Sequence, residues 1–409
     1  MLLAREGRPP LPALGPDSPS DEFIRYAVLN HPAVVAAYYD WRASVEDIVP
    51  ARTAPDPQFI FQADITNSLS SLMPGLMFDF MGSGKLAAMG REAAATSDVA
   101  RRAYIAAVLG TAAEARKAGI ELAHVDEAIR LQEMSVAALG RSLSIADTEY
   151  ATGRGMGTLA ESVRFANDLA KSRNELASLA DRRAAVRARF KSALGLAPTD
   201  PDPVWPRAYL APTPLPGADE LWRRAAAANA ELGRMRTMVE MAVEGVDVAR
   251  KAGNPDFTLG TMVDVRTNPT LVRPLGTLNL PIWREKVAAI LAAAEARRDA
   301  SVARLSGEEL NLAAEMAQML FMIREADRMI AYIDRAALPN YDHAVATAEA
   351  ASQSGVTSSA MIPEIQLMAL SMRLERLGAL RDRENAVTDL MLLTANVAPA
   401  GSPIPEKTP

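Results

Sequence analysis

The 409-residue chain has no cysteine and only three histidines. Disulfides, thiolate catalysis and cysteine-built zinc sites are thereby excluded. His31, His124 and His343 are far apart and show none of the short spacings that place two imidazoles on one metal, so they read as packed or solvated side chains. Aromatic residues are scarce at 5%, which disfavours a compact α/β enzyme with a large aromatic core. Positive charge is not in excess, since the formal net charge is −6, and a general nucleic-acid binder would need Lys and Arg to neutralise phosphates. No apolar run reaches the roughly 18 residues of a membrane-spanning helix. Residues 1–20 carry five prolines and lack the apolar core of a signal peptide. A phosphate-binding glycine loop and a nucleophile elbow are also missing, so no enzyme and no cofactor is expected.

What the chain does have is a repeat. Leu29-Asn30-His31-Pro32 opens an Ala-rich amphipathic stretch that ends in Pro55-Asp56-Pro57-Gln58-Phe59, and Asn229 opens a similar one that ends in Asn254-Pro255-Asp256-Phe257. Lys85 and Lys286 each then begin a very long Ala-, Glu- and Arg-rich segment, broken at Gly153-Arg154-Gly155 and at Gly355-Val356-Thr357. All these landmarks recur about two hundred residues apart, as a duplicated unit requires. Each half reads as short helix, strand, strand, long helix, glycine turn and medium helix. The expected organisation is a proline-rich extension 1–20, a first repeat 21–195, a proline-rich linker 196–217, a second repeat 218–395 and a tail 396–409.

The segment from Lys286 to Ser354 would be about 100 Å long as a helix, with Pro339 expected to kink it. Val302, Leu305, Leu312, Met316, Met319, Ile323, Ile330 and Ile333 step by threes and fours along it, with Glu309 and Ala326 between, which is a heptad seam. Two shorter helices, 32–49 and 158–194, together match the long helix 85–152 and could run beside it; 229–253 and 358–395 repeat this in the second half. Phe59, Phe61, Ala63 and Ile65 alternate with Ile60, Gln62 and Asp64, and Phe257 to Val265 alternate likewise, which predicts two strands with unlike faces. Return strands are expected at 75–81 and 276–282. Four strands are too few to close a barrel, so other chains must pair their edges.

The Leu29-Asn30-His31-Pro32-Ala33 opening, Pro55-Asp56-Pro57, the passage Leu280-Pro281-Ile282-Trp283-Arg284-Glu285-Lys286 and the two glycine turns resemble the TolC family of outer-membrane efflux channels, over about residues 21–395. The fold class the resemblance implies is mainly α with a small β part: duplicated antiparallel helical hairpins plus four short strands, assembled as a homotrimer with one barrel in outer-membrane lipid and a helical tunnel in the periplasm. It further implies an exit duct for small molecules or metal ions, docked to a periplasmic adaptor and an inner-membrane pump. Gly153, Arg154, Gly155, Gly355, Val356 and Thr357 become the adaptor-contact tips. Glu364 and Met361 become the aperture candidates, with Met361 standing where the family tends to carry an acid. Met316, Met319, Met322 and Met329 invite a soft-metal path, but methionine at heptad spacing is ordinarily core filler. The rival reading keeps the helices and gives the strands a capping role, so that the barrel is too short to span the membrane and the protein is a periplasmic structural or adaptor-binding component.

Overall fold

In a computed structural model of the chain, the described residues are 11–65, 69–152, 158–206, 211–267, 269–353 and 361–395. The first half contains α1 (Ser20–Asn30), α2 (Pro32–Glu46), α3 (Ile48–Arg52), β1 (Gln58–Ile65), β2 (Leu69–Phe80), α4 (Lys85–Thr152) and α5 (Leu159–Ala193). The second contains α6 (Ala218–Ala228), α7 (Ala230–Lys251), β3 (Asp256–Asp264), β4 (Leu271–Asn279), α8 (Arg284–Tyr332), α9 (Leu338–Gln353) and α10 (Met361–Leu393). The four strands form one antiparallel sheet in the order β1-β2-β3-β4. The described parts of the proline-rich linker are irregular, as the ring chemistry of proline demands. No helix among the described residues is long and apolar enough to cross a membrane.

Two compact units emerge, and each draws on both sequence halves. One comprises residues 35–107 and 230–312, which include the sheet. Its helical part packs Val246, Ala249 and Ala294 together, and Trp41 stacks on Tyr104 at 5.9 Å. The other comprises residues 1–34, 108–229 and 313–409. Its core includes the cluster Ala128, Leu131, Leu370 and Leu377, and Phe23 of α1 lies 5.9 Å from Phe190 of α5.

The sequence reading placed α4 correctly and began α5 at its cap: Thr158 Oγ1 accepts from the Glu161 N–H at 3.2 Å while Glu161 accepts from the Thr158 N–H at 3.0 Å. Helices α1 and α6 are additional to the expected elements, and Asn30 and Asn229, which read as helix openers, have another task. Asn30 Nδ2 donates to Leu194 O at 2.9 Å and Asn229 Nδ2 donates to Leu393 O at 3.1 Å, so each closes the carbonyl end of its half's last helix across 164 residues. Gly195 follows the first of these ends with φ +74, where an added Cβ would meet His31 Cα at 2.7 Å. Its counterpart Ala395 holds φ 53 without the freedom of glycine. Asn30→Ala and Asn229→Ala are each expected to lower stability by about 1–2 kcal/mol, the cost of an unsatisfied buried carbonyl, read as a fall in thermal midpoint of the purified protein.

Three further expectations need correction. The return strands begin earlier than proposed, at Leu69 and Leu271, because Pro74 and Pro274 sit inside strands that were expected to start after them. Pro74 is tolerated because the regular β2–β3 ladder stops at Gly75, and Pro274 because β4 has a neighbour on one side only within the chain. The anticipated kink before Pro339 is taken up by a π-helical turn, Ile333–Ala337, in which Leu338 N–H bonds Ile333 O five residues back. The heptad seam holds at Leu312, Met316, Ile323, Ala326 and Ile333, all buried, but Val302 is exposed and Ser301 is buried in its place. Met322 and Met329 are exposed while Met316 is buried, so the four methionines do not share a face. Among the described residues no cluster of His, Asp or Glu could hold a metal.

Candidate functional site

The sheet has two chemically distinct faces, fixed by side-chain alternation and by register. Partners across the ladders share a face: Phe59↔Leu76, Phe78↔Leu259, Phe80↔Phe257 and Phe257↔Leu278. That face runs through Phe59, Phe61 and Ala63, through Leu72 to Phe80, through Phe257 to Val263, and through Val272 to Leu278, and it carries no charged residue. It is nonetheless open: Phe59 is 69% exposed, Leu259 53% and Leu278 59%. An uncovered apolar surface of this kind marks an interaction site.

The opposite face holds every charge of the four strands: Asp64, Asp79, Asp256, Asp264 and Arg273. Asp79 accepts from Gln58 Nε2 at 2.9 Å and from Thr258 Oγ1 at 2.7 Å, which ties three strands together. Asp264 accepts from Ser71 Oγ at 2.8 Å and is buried. Lys85 Nζ lies 2.8 Å from both carboxylate oxygens of Asp256, which also accepts from Gly82 N–H at 2.6 Å, so the corner from β2 into α4 is fastened to the start of β3.

Strand length suits a bilayer. Nine residues, the length of β3 and β4, rise about 30 Å along the strand and about 22 Å along a normal tilted by about 40°, close to the apolar band of about 25 Å on membrane barrels. Aromatic residues gather at the helix-proximal end: Phe80 stacks on Phe257 at 5.0 Å, Phe59 is the second residue of β1, and Trp283, just before α8, is 72% exposed. Such belts sit at membrane–water boundaries. The outer strands, β1 and β4, each leave one edge of backbone groups unpaired within the chain.

The second candidate region is the end of the helical hairpins. Gly153, Arg154, Gly155, Gly355, Val356 and Thr357 lie outside the described residues. Just behind them, Leu139, Ala146, Phe165 and Leu169 form a small core. Met361 is the first residue of α10 and Pro363 the third, where the missing N–H costs no helical bond. Glu364, on the same turn, makes an ion pair with Arg164 of α5, whose guanidinium also lies 4.6 Å from the centroid of the Phe165 ring. The structure thus gives Glu364 a cationic partner that the sequence did not reveal, because Arg164 lies two hundred residues away.

The sheet thus has one uncharged, uncovered face and two edges unpaired within the chain, and it is joined to long helices. Residues 221–396 match the model of the outer membrane efflux protein family. No curated protein matches the chain. Among solved structures, the open state of the outer membrane channel MtrE of Neisseria gonorrhoeae is similar over 97% of this chain and 98% of that one, with a TM-score of 0.75 at 15% identity. The outer membrane protein VceC of Vibrio cholerae is similar over 93% of this chain and 96% of that one, with a TM-score of 0.73 at 17% identity. A membrane protein from Pseudomonas aeruginosa is similar over 92% and 90%, with a TM-score of 0.76 at 18% identity. Residues 221–396 thus resemble the outer membrane efflux proteins, and the fold over nearly all of the chain is the one seen in the channel MtrE and in VceC.

Proposed function

We propose that the chain is the outer-membrane exit duct of a tripartite efflux system, passing small molecules or metal ions through a homotrimeric channel. The observation that carries this is the segregation of charge in the sheet: all strand charges lie on one face, and the other is apolar and uncovered. Lipid on one side and water on the other require this division. A purely capping role for the strands would leave the apolar face exposed to water over its whole length, and the strands are long enough to reach across. The edges β1 and β4 run antiparallel, so copies join β4 to β1 without breaking the up-down alternation, and three copies make a twelve-stranded barrel within the range of known sizes. Outer-membrane lipid surrounds it, and the hairpin ends face a periplasmic adaptor through Gly153, Arg154, Gly155, Gly355, Val356 and Thr357. Purified protein in a planar bilayer is the test of the duct: discrete, uniform conductance supports it, and a particle that stays in the aqueous phase and never conducts overturns it.

Glu364 and Met361 line the periplasmic aperture in this reading, with Arg164 masking the carboxylate. Both partners are substantially exposed, so the pair contributes at most about 1 kcal/mol to stability. Arg164→Ala is therefore expected to leave the thermal midpoint almost unchanged while raising the preference of the channel for cations over anions. An unchanged reversal potential under a salt gradient would remove Glu364 from the aperture.

A further inference from the structure

The first repeat carries a groove whose charged wall has no counterpart in the second. On α5, Arg183, Arg187 and Lys191 recur every four residues, so all three lie on one side of the helix. They face the proline-rich linker across a groove of about 500 Å³, whose other walls include Trp205, Leu196 and Pro198 and the small residues Ala180, Ala184 and Ala188. Space of this size takes a small organic molecule. The bonds from Asn30 to Leu194 and from Asn229 to Leu393 set the repeats 199 residues apart, which puts Asp382, Ala386 and Leu390 of α10 at the matching positions. Ala386 and Leu390 are buried there, so the helical frame does not require the three cations.

Two of the cations are satisfied within the chain. Arg183 Nε lies 2.7 Å from Asp126 Oδ1 of α4. Lys191 is buried and donates through Nζ to Pro198 O at 3.2 Å, to Asp200 O and to Asp202 Oδ1 at 3.3 Å, which clips the linker to α5. Arg187 is different. Its guanidinium carbon lies over the Trp205 ring, 4.8 Å from the centroid, and Trp205 in turn lies 6.2 Å from Phe190. Among the described residues no carboxylate is within ion-pair distance of Arg187, and its Nε is buried without a hydrogen-bond partner. The ring attracts the cation but leaves the in-plane fork of N–H donors for a planar acceptor. A buried donor without a partner is costly, and an acceptor in the groove would remove that cost.

We infer that this groove binds a small monocarboxylate with a short apolar body. Three cations meet two carboxylates, so one positive charge is unmatched. A monoanion cancels it, whereas a phosphate group near neutral pH brings close to two negative charges. The carboxylate takes Arg187, whose fork suits two coplanar oxygens, and the body lies along Ala184, Ala188, Leu196 and Trp205. Both the C-terminal residue of a peptide and a free organic acid have this chemistry. Because Leu196, Pro198 and Trp205 belong to the linker, an occupant also holds the linker against α5. The site draws on no residue of the sheet and does not depend on the duct reading.

Titration calorimetry of the purified full chain tests this with N-acetyl-leucine, its uncharged amide, 4-methylpentanoate and inorganic phosphate. N-acetyl-leucine is expected to bind, and the amide and phosphate to bind about tenfold or more weakly, the loss of one charge-assisted pair. Arg187→Gln is expected to weaken N-acetyl-leucine by about the same factor. Ala184→Glu is the second variant, at an exposed position of α5. It keeps Arg187 but sets a carboxylate three residues before it, where the two pair, so affinity falls although no cation is removed. Tighter binding of N-acetyl-leucine than of 4-methylpentanoate assigns a peptide end, and the reverse assigns a free acid; either result supports the site. Absence of binding by both acids at about 10 mM, well above the range of a specific site, overturns it. So does equal binding of the amide or of phosphate, or unchanged affinity in either folded variant.

Discussion

Leu259→Arg is expected to empty the membrane fraction of assembled protein. Leu259 is central in β3, is 53% exposed, and faces Phe78 and Gly276 across the two ladders on the uncharged side of the sheet. An arginine pointing into lipid near the bilayer midplane costs about 2–4 kcal/mol in a barrel, and a trimer bears that cost in every copy. Thr277→Arg is the matched control. Thr277 is also exposed and pairs with Thr258, but it lies on the face that already carries Arg273. Quantifying the heat-resistant oligomer in outer-membrane fractions compares the two. Loss with Leu259→Arg and retention with Thr277→Arg is the expected pattern; equal tolerance of both would mean that the apolar face does not meet lipid.

Glu384→Ala carries the largest expected cost in the unit that lacks the sheet. Glu384 lies on α10 with its side chain 4% exposed. Its carboxylate accepts from the backbone N–H of Thr213 at 3.0 Å, from Thr213 Oγ1 at 2.5 Å and from Arg383 Nη1 at 2.6 Å. Arg383, 8% exposed, reaches on to Asp327 at 2.6 Å, and Arg116 of α4 donates to Thr213 Oγ1 at 3.3 Å. The proline-rich linker is therefore held to α4 and α10 by buried polar bonds and not by apolar packing alone. Removing one partner of such a buried pair leaves the other desolvated and typically costs about 3–5 kcal/mol; the surviving Asp327 contact favours the low end, about 3 kcal/mol. The expected outcome is a markedly lower thermal midpoint with protease cleavage appearing within residues 196–216. Glu384→Gln, which keeps the shape and part of the bonding, should fall between. A change below about 1 kcal/mol, the range of exposed ion pairs, would show that the linker is held otherwise.

Much of this architecture is written locally in the sequence. The long helix Lys85–Thr152 is readable because no proline interrupts its Ala-, Glu- and Arg-rich run, and the starts of β1 and β3 because period-two alternation follows a proline. Failures came where the deciding partner is distant. Asn30 and Asn229 look like helix openers beside His31-Pro32 and Ala230, yet each spends its amide on a carbonyl 164 residues away. Pro74 and Pro274 look like strand boundaries until the ladder shows that one sits at the end of a regular pairing and the other in a strand with a neighbour on one side only within the chain. Glu364 could be suspected of facing an aperture, but its Arg164 partner on another helix was invisible to spacing. The apolar face was legible as alternation, whereas its freedom from cover, which points to lipid, required the folded sheet.

A duct of this kind requires strands from separate chains to close one barrel, and the native mass of the particle released from outer membranes by mild detergent tests this most directly. Three chain masses, stable until the sample is boiled, is the predicted result. A single chain mass that persists at high protein concentration, or extraction without detergent, would contradict it.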